Sequence, residues 1–184
     1  MGVYAAFLRG INVSGNNVIK MEELKKLCSL PGFANVATYI QSGNVIFETG
    51  ETSSAALEQK LEKTLTKTLG YPIPVFLRSL DDMLGILRKD PFKELRGSEG
   101  IKEYVVFLSK APDSKVKTAL ESASNETDIF EFKGNELFII NYPDKGKSLL
   151  TGSSVLEKKI GMPVTARNWR TVNKMLDLLK ARRN

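Results

Sequence analysis

Two kinds of apolar pattern alternate along the chain. Some runs are hydrophobic at nearly every position, and others only at every third or fourth. Val3, Ala5 and Phe7 interleave with Tyr4, Ala6 and Leu8, so residues 3–9 read as a strand with two apolar faces. Met21, Leu24, Leu27 and Cys28 fall at helical spacing, and Pro31-Gly32 ends that helix, giving 21–30. Residues 35–41 and 44–48 read as a strand pair around Ser42-Gly43. Leu57, Leu61, Leu65 and Leu69 recur every fourth position, which predicts a helix over 53–69. Residues 75–79 return to strand.

The same order then recurs: strand 103–109, helix 112–124, strands 129–132 and 136–141, helix 148–160 and a short strand 164–167. Between the two series lies a helix from Leu80 to about Arg88. Ser79 with Asp82 three places on reads as its capping box. The stretch 90–100 reads as a boundary. A last helix, 169–181, follows Asn168 as N-cap.

The repetition extends to residue types. Tyr4-Ala5-Ala6-Phe7-Leu8 matches Tyr104-Val105-Val106-Phe107-Leu108 at an offset of 100. Gly43-Asn44-Val45-Ile46-Phe47 matches Gly134-Asn135-Glu136-Leu137-Phe138, and Leu69-Gly70-Tyr71-Pro72-Ile73 matches Ile160-Gly161-Met162-Pro163-Val164, both at an offset of 91. The expected class is therefore α+β: a tandem duplication of a ferredoxin-like βαββαβ unit with an extra C-terminal helix. Residues 1–79 form the first half, 80–100 the connector helix and loop, and 101–184 the second half with its helix. Strands apolar on both sides predict sheets covered on both faces, by each other or by the extra helices.

Three segments carry a resemblance. Tyr4-Ala-Ala-Phe-Leu-Arg-Gly-Ile-Asn-Val-Ser-Gly-Asn-Asn17, Tyr39-Ile-Gln-Ser-Gly-Asn-Val-Ile-Phe47 and Thr165-Ala-Arg-Asn-Trp-Arg-Thr171 resemble a bacterial family described only as a domain of unknown function. The resemblance implies two ferredoxin-like halves over nearly the whole chain. It implies no activity and carries over no catalytic residue.

Composition narrows the chemistry. The 184 residues include no histidine and one cysteine, Cys28. Ser-His-Asp and Cys-His catalysis and the usual zinc sites are thereby excluded, no metal or cofactor is implied, and no internal disulfide can form. Cys28 lies on the apolar side of its helix, as a buried structural thiol does. No apolar run approaches the roughly 20 residues needed to cross a bilayer, and the start lacks a signal-peptide pattern. A cytoplasmic protein without a membrane partner is expected.

Charge is uneven. The net charge is +6, yet residues 145–184 hold ten Lys and Arg against only Glu157 and Asp177, and the first 144 are slightly acidic. Such asymmetry points to an anionic partner, a small molecule or a nucleic acid, unless the C-terminal helix is merely a solvated basic face.

Two clusters are candidate ligand sites. Leu8 to Gly43 spans 35 residues and Leu108 to Gly134 only 26, so the first half has a long polar loop after its first strand. That loop brings Arg9, Asn12, Asn16 and Asn17 toward Gln41, Ser42 and Asn44. Either it binds a ligand or its asparagines serve turns. Gly43 and Asn44 favour the turn role, because Gly134-Asn135 repeats them. In the second half, Gly146-Lys147-Ser148 ends like a phosphate loop, but Asn141 stands where the first glycine belongs. An anion site at two helix N-termini remains, built from Lys145, Lys147, Ser148, Arg167, Asn168 and Arg170. The alternative for Arg167 is pairing with an acid such as Glu103. Trp169 either stacks a ligand or, more commonly, fills core. A histidine-free enzyme acting on a phosphorylated or carboxylated molecule, and a protein-interaction module, stay open beside the binding protein.

Overall fold

The computed structural model describes residues 1–13, 15, 17–95, 100–148 and 153–183. The chain divides into two compact units, Met1–Leu84 with Asn173–Asn184, and Gly85–Val172.

The first unit runs β1 (Gly2–Leu8), α1 (Met21–Cys28), β2 (Phe33–Tyr39), β3 (Asn44–Thr49), α2 (Ser54–Leu69) and β4 (Val75–Ser79), and α3 (Leu80–Arg88) leads out of it. The second runs β5 (Lys102–Leu108), α4 (Ser114–Glu121), β6 (Asp128–Lys133), β7 (Glu136–Asn141), α5 (Ser153–Ile160) and β8 (Val164–Asn168), and α6 (Trp169–Lys180) starts in it and from Asn173 on belongs to the first. Each unit has a four-stranded sheet, ordered β2-β3-β1-β4 and β6-β7-β5-β8, with every neighbour antiparallel. The protein is thus mixed α+β, with two antiparallel sheets and six helices among the described residues.

One face of the first sheet packs Tyr4, Ala6, Leu8, Phe47 and Leu77 against Leu24 and Cys28 of α1 and Leu57, Leu61 and Leu65 of α2. The fourfold leucine spacing is thus the buried stripe of α2, and each such leucine contributes roughly 1.5–3 kcal/mol by leaving water. Ser53 caps α2 by accepting from the Ala56 N–H at 3.3 Å, and Gly70 ends it at φ 81. Burial pushes the Cys28 thiol up to about 12, as suits a packing residue. In the second unit Val106, Leu108, Phe130, Phe132, Ile139, Leu156 and Ile160 form the equivalent core. The alternate residues Ala5, Phe7, Ile46, Phe76, Val105, Phe107 and Phe138 are also buried, so both faces of each sheet are withdrawn from water.

Strand edges are guarded by side chains. On β4 the outward N–H groups of Val75 and Leu77 donate to Glu62 and Glu58 of α2, each at 2.8 Å, and Ser79 donates to Asp82. On β6, Phe132 donates to Glu121 and Phe130 to Ser124, and on β8 Val164 donates to Glu157. β2 carries a bulge between Ala34 and Ala37, and the Arg182 guanidinium donates to the Asn35 carbonyl at 2.6 Å. Unpaired edges invite another strand, and carboxylates placed one helical turn apart match alternate residues of a strand well enough to close them.

The two sheets match in register, but not as the residue types suggest. Leu8 N–H donates to Gly43 O, and Leu108 N–H donates to Asn135 O. The counterpart of Gly43 is therefore Asn135, and that of Asn44 is Glu136. Pairing of β5 with β7 and β8 also fixes the region of interest in the second unit. Lys102 lies opposite Asn141 and Tyr104 opposite Asn168, so the start of β5 lies beside the ends of β7 and β8.

Candidate functional site

The loop after β1 is built by its own asparagines. Asn12 and Asn17 adopt φ 53 and 52, a left-handed conformation that asparagine tolerates better than most residues. The Asn12 amide donates to Ile19 O (3.1 Å) and Gln41 O (3.0 Å), and its oxygen accepts from the Ile19 N–H (2.8 Å). Asn17 donates to Gly10 O at 2.9 Å, and its carbonyl accepts from the Asn12 N–H. Ile11 is buried beneath the loop. Gly43, at φ 70, sits where a side chain would be strained and crowded, because a Cβ would stand 3.0 Å from the Leu8 Cβ and 3.1 Å from that of Ile11.

Fully buried Asn44 donates to Tyr39 O and to the Ser42 hydroxyl. The Gln41 side chain is exposed, while its carbonyl serves Asn12. Arg9 is half-buried, and its N–H is tied to Pro74 O. The structure thus brings Arg9, Asn12, Asn17, Gln41, Ser42 and Asn44 to one end of the first sheet, but turns the asparagine amides inward. Asn16 lies outside the described residues.

In the second unit, the chain leaving β7 makes a short 3-10 turn, Pro143–Lys145, and continues to Ser148. Its anchor is Asp128, almost wholly buried at the start of β6. One carboxylate oxygen accepts from Asn141 Nδ2 and the other from the Ser148 hydroxyl, both at 2.9 Å. The sequence pattern begins a helix at Ser148. The described helix begins at Ser153, residues 149–152 lie outside the described set, and Ser148 instead belongs to this anchor. Lys145 and Lys147 are exposed, with the Lys145 ammonium 5.1 Å from the Tyr142 ring centroid.

At the end of β8, Asn168 caps α6 by accepting from the Thr171 N–H at 2.8 Å, and Arg170 is exposed in the first turn. Arg167 departs from expectation. Opposite Val105, it occupies the sheet face away from the Leu137–Ile139–Asn141 side that carries Ser148. It is 8% exposed and donates to Thr165 Oγ1 and Ala166 O, and burial lowers its pKa to about 10. Arg167 is therefore not brought to Lys147.

Lys102, which sequence reasoning passed over, takes its place. It is exposed, and it opens β5 beside the ends of β7 and β8. The signal was available in antiparallel geometry, since a strand running against two neighbours begins where they end. Lys102 thus opens β5 between the ends of β7 and β8, which stand about 10 Å apart; Arg170 follows the end of β8, and Lys145 and Lys147 follow the end of β7 on the segment that crosses to the start of β6. Asp144 is the nearby acid in the turn. Among the described residues no group of three His, Cys, Asp or Glu side chains is placed to hold a metal ion, and no helix is long and apolar enough to cross a membrane.

These features define a mixed α+β protein of two four-stranded units with a basic rim on the second. The chain belongs to the family described as Protein of unknown function (DUF1697), whose model matches residues 1–138, in agreement with the resemblance read from the N-terminal motifs. It is similar to a solved structure described as the conserved bacterial protein SP0830 from Streptococcus pneumoniae. The two are 27% identical with a TM-score of 0.76, over 97% of this chain and 98% of that one. Among curated proteins none matches.

Proposed function

We propose that the protein binds an anionic ligand, a nucleotide, a sugar phosphate or a nucleic acid, along the basic edge of the second unit. One observation carries this reading: Lys102, Lys145, Lys147 and Arg170 are all exposed, and strand register sets Lys102 beside the strand ends from which the segments bearing the other three depart. Open cations spread across one end of a four-stranded sheet suit an extended polyanion better than a single small anion. The N-terminus of α6, capped by Asn168, adds the positive end of a helix dipole. Within the same reading the two sheets with their packed helices belong to ferredoxin-like halves of a tandem duplication, 1–79 and 101–184 about the connector 80–100, in a cytoplasmic protein. Identical strand orders and equivalent registers support that history.

The test is fluorescence anisotropy with a short labelled single-stranded RNA, set beside thermal shifts with nucleotides and sugar phosphates. Binding should weaken with salt. A Lys145→Ala, Lys147→Ala, Arg170→Ala variant should flatten the slope of log K against log salt by about 0.7 for each phosphate it no longer neutralises. Unchanged affinity and slope in the variant would remove the site. Phosphate-ester shifts that survive it would move the site elsewhere.

A further inference from the structure

The two units differ at one place where their registers make them equivalent. Phe33 lies opposite Thr49 in the first sheet, as Asp128 lies opposite Asn141 in the second. In the second unit the chain leaving β7 crosses the start of β6. The Tyr142 N–H donates to Thr127 O at 2.8 Å, the Ser148 hydroxyl reaches Asp128, and Gly146 passes so close that a Cβ there would stand 3.0 Å from Thr127 Oγ1. In the first unit only residues 50–53 separate β3 from α2, a connection too short for such a crossing.

What remains there is a cleft of about 420 Å³, within the range of small-ligand pockets. Its floor is apolar. Phe33 and Leu57 line it, and the Phe33 ring is stacked on Phe47 with centroids 4.2 Å apart and planes 1° from parallel. Its rim carries one charge of each sign. The Lys60 ammonium donates to Pro31 O at 2.6 Å and stands 5.1 Å from the Phe33 ring centroid. The Glu51 carboxylate uses one oxygen, Oε1, to accept from the N–H groups of Thr52 and Ser53.

We infer that this cleft is a binding site for a small zwitterion with an apolar side group, the chemistry of a free amino acid. In the second unit the chain itself packs against the equivalent start of β6, with the Tyr142 backbone N–H on Thr127 O, so an occupant with backbone-like polar atoms fits the frame. The ligand carboxylate meets Lys60, its ammonium meets Glu51, and its side group lies on Phe33 and Leu57. The site is separate from the basic edge and independent of the anion-binding reading.

A 1H–15N correlation titration of the full chain with L-phenylalanine and L-leucine tests it, with the uncharged N-acetyl-L-phenylalanine amide as control. Saturable shifts are expected at the backbone amides of Gly32, Phe33, Gly50 and Glu51, and at most weak ones with the neutral analogue. Lys60→Gln should weaken binding at least fivefold. Glu51→Gln should do the same, because glutamine keeps the oxygen that serves Thr52 and Ser53 and removes only the charge. Ala56→Leu, on the wall of the cleft, should abolish the shifts while leaving the melting temperature within a few degrees. Absence of saturable shifts with both amino acids would overturn the inference. So would equal binding of the neutral analogue, or indifference to all three substitutions.

Discussion

Replacing Asn12 by alanine removes three hydrogen bonds at once, two donated to Ile19 O and Gln41 O and one accepted from the Ile19 N–H. A typical intramolecular hydrogen bond contributes about 0.5–1.5 kcal/mol net, and part-exposed ones fall at the low end. Asn12 also sits at φ 53, where alanine costs about 1 kcal/mol more than a residue that tolerates the left-handed region. The expected loss is therefore about 2–4 kcal/mol. Asn12→Gly divides that sum, since glycine accepts the backbone conformation but lacks the amide, and it should be the milder variant by about 1 kcal/mol. Urea unfolding followed by far-UV circular dichroism measures both, and hydrogen exchange at Ile19 reports the loop directly. A ligand-contacting role predicts the reverse pattern, with intact stability and lost binding. An Asn12→Ala loss below about 0.5 kcal/mol would refute the structural assignment.

Two further expectations follow from local geometry. Gly43→Ala combines a disfavoured φ of 70 with Cβ approaches of 3.0 and 3.1 Å to Leu8 and Ile11, and should cost about 2 kcal/mol or more, read as a drop in urea midpoint. Burial raises the Glu58 pKa, opposed by the Leu77 N–H and by Arg78. A carboxyl raised on folding favours the folded state below its ordinary pKa, and that contribution is lost as pH rises through the folded value. Glu58→Gln keeps an acceptor for Leu77 and removes the charge, so its melting temperature relative to the parent should be higher at pH 7.5 than at pH 4.5. The opposite ordering would show that the ionised carboxylate is net stabilising.

The elements that can be read in advance are those whose signal is local. The fourfold leucines of α2, the Ser79–Asp82 capping box and the Asn168 cap each appear as the sequence implies, with Ser79 and Asp82 exchanging hydrogen bonds at 2.9 and 3.1 Å. The repeat is legible in order but slips in register. Gly43 ends a four-residue turn, whereas Gly134 begins a two-residue one, so aligning the glycines shifts the strands that follow by one place. The second half therefore does not repeat the Gly43-Asn44 pair in space, although Gly43 and Asn44 each make turn contacts of their own.

Arg167 escapes sequence reasoning because a positive charge reads as surface. Its counterpart Arg78, opposite Ala5 as Arg167 is opposite Val105, is equally buried and likewise donates to the carbonyl of the preceding residue. An arginine present at the same place in both halves is a framework feature. The asparagine loop cannot be resolved from composition, since Gly and Asn suit an inward-clamped turn and an outward ligand cradle equally well.

The guarded strand edges limit how this protein can associate. Glu58, Glu62, Glu121 and Glu157 occupy outward N–H groups that a foreign strand would need, and Arg182 holds a carbonyl on β2. A partner cannot lengthen either sheet at those positions without first displacing a side chain that already satisfies the backbone. What those positions leave open to a partner is the loops, clefts and charged rims, while the sheets stay closed to one another's copies.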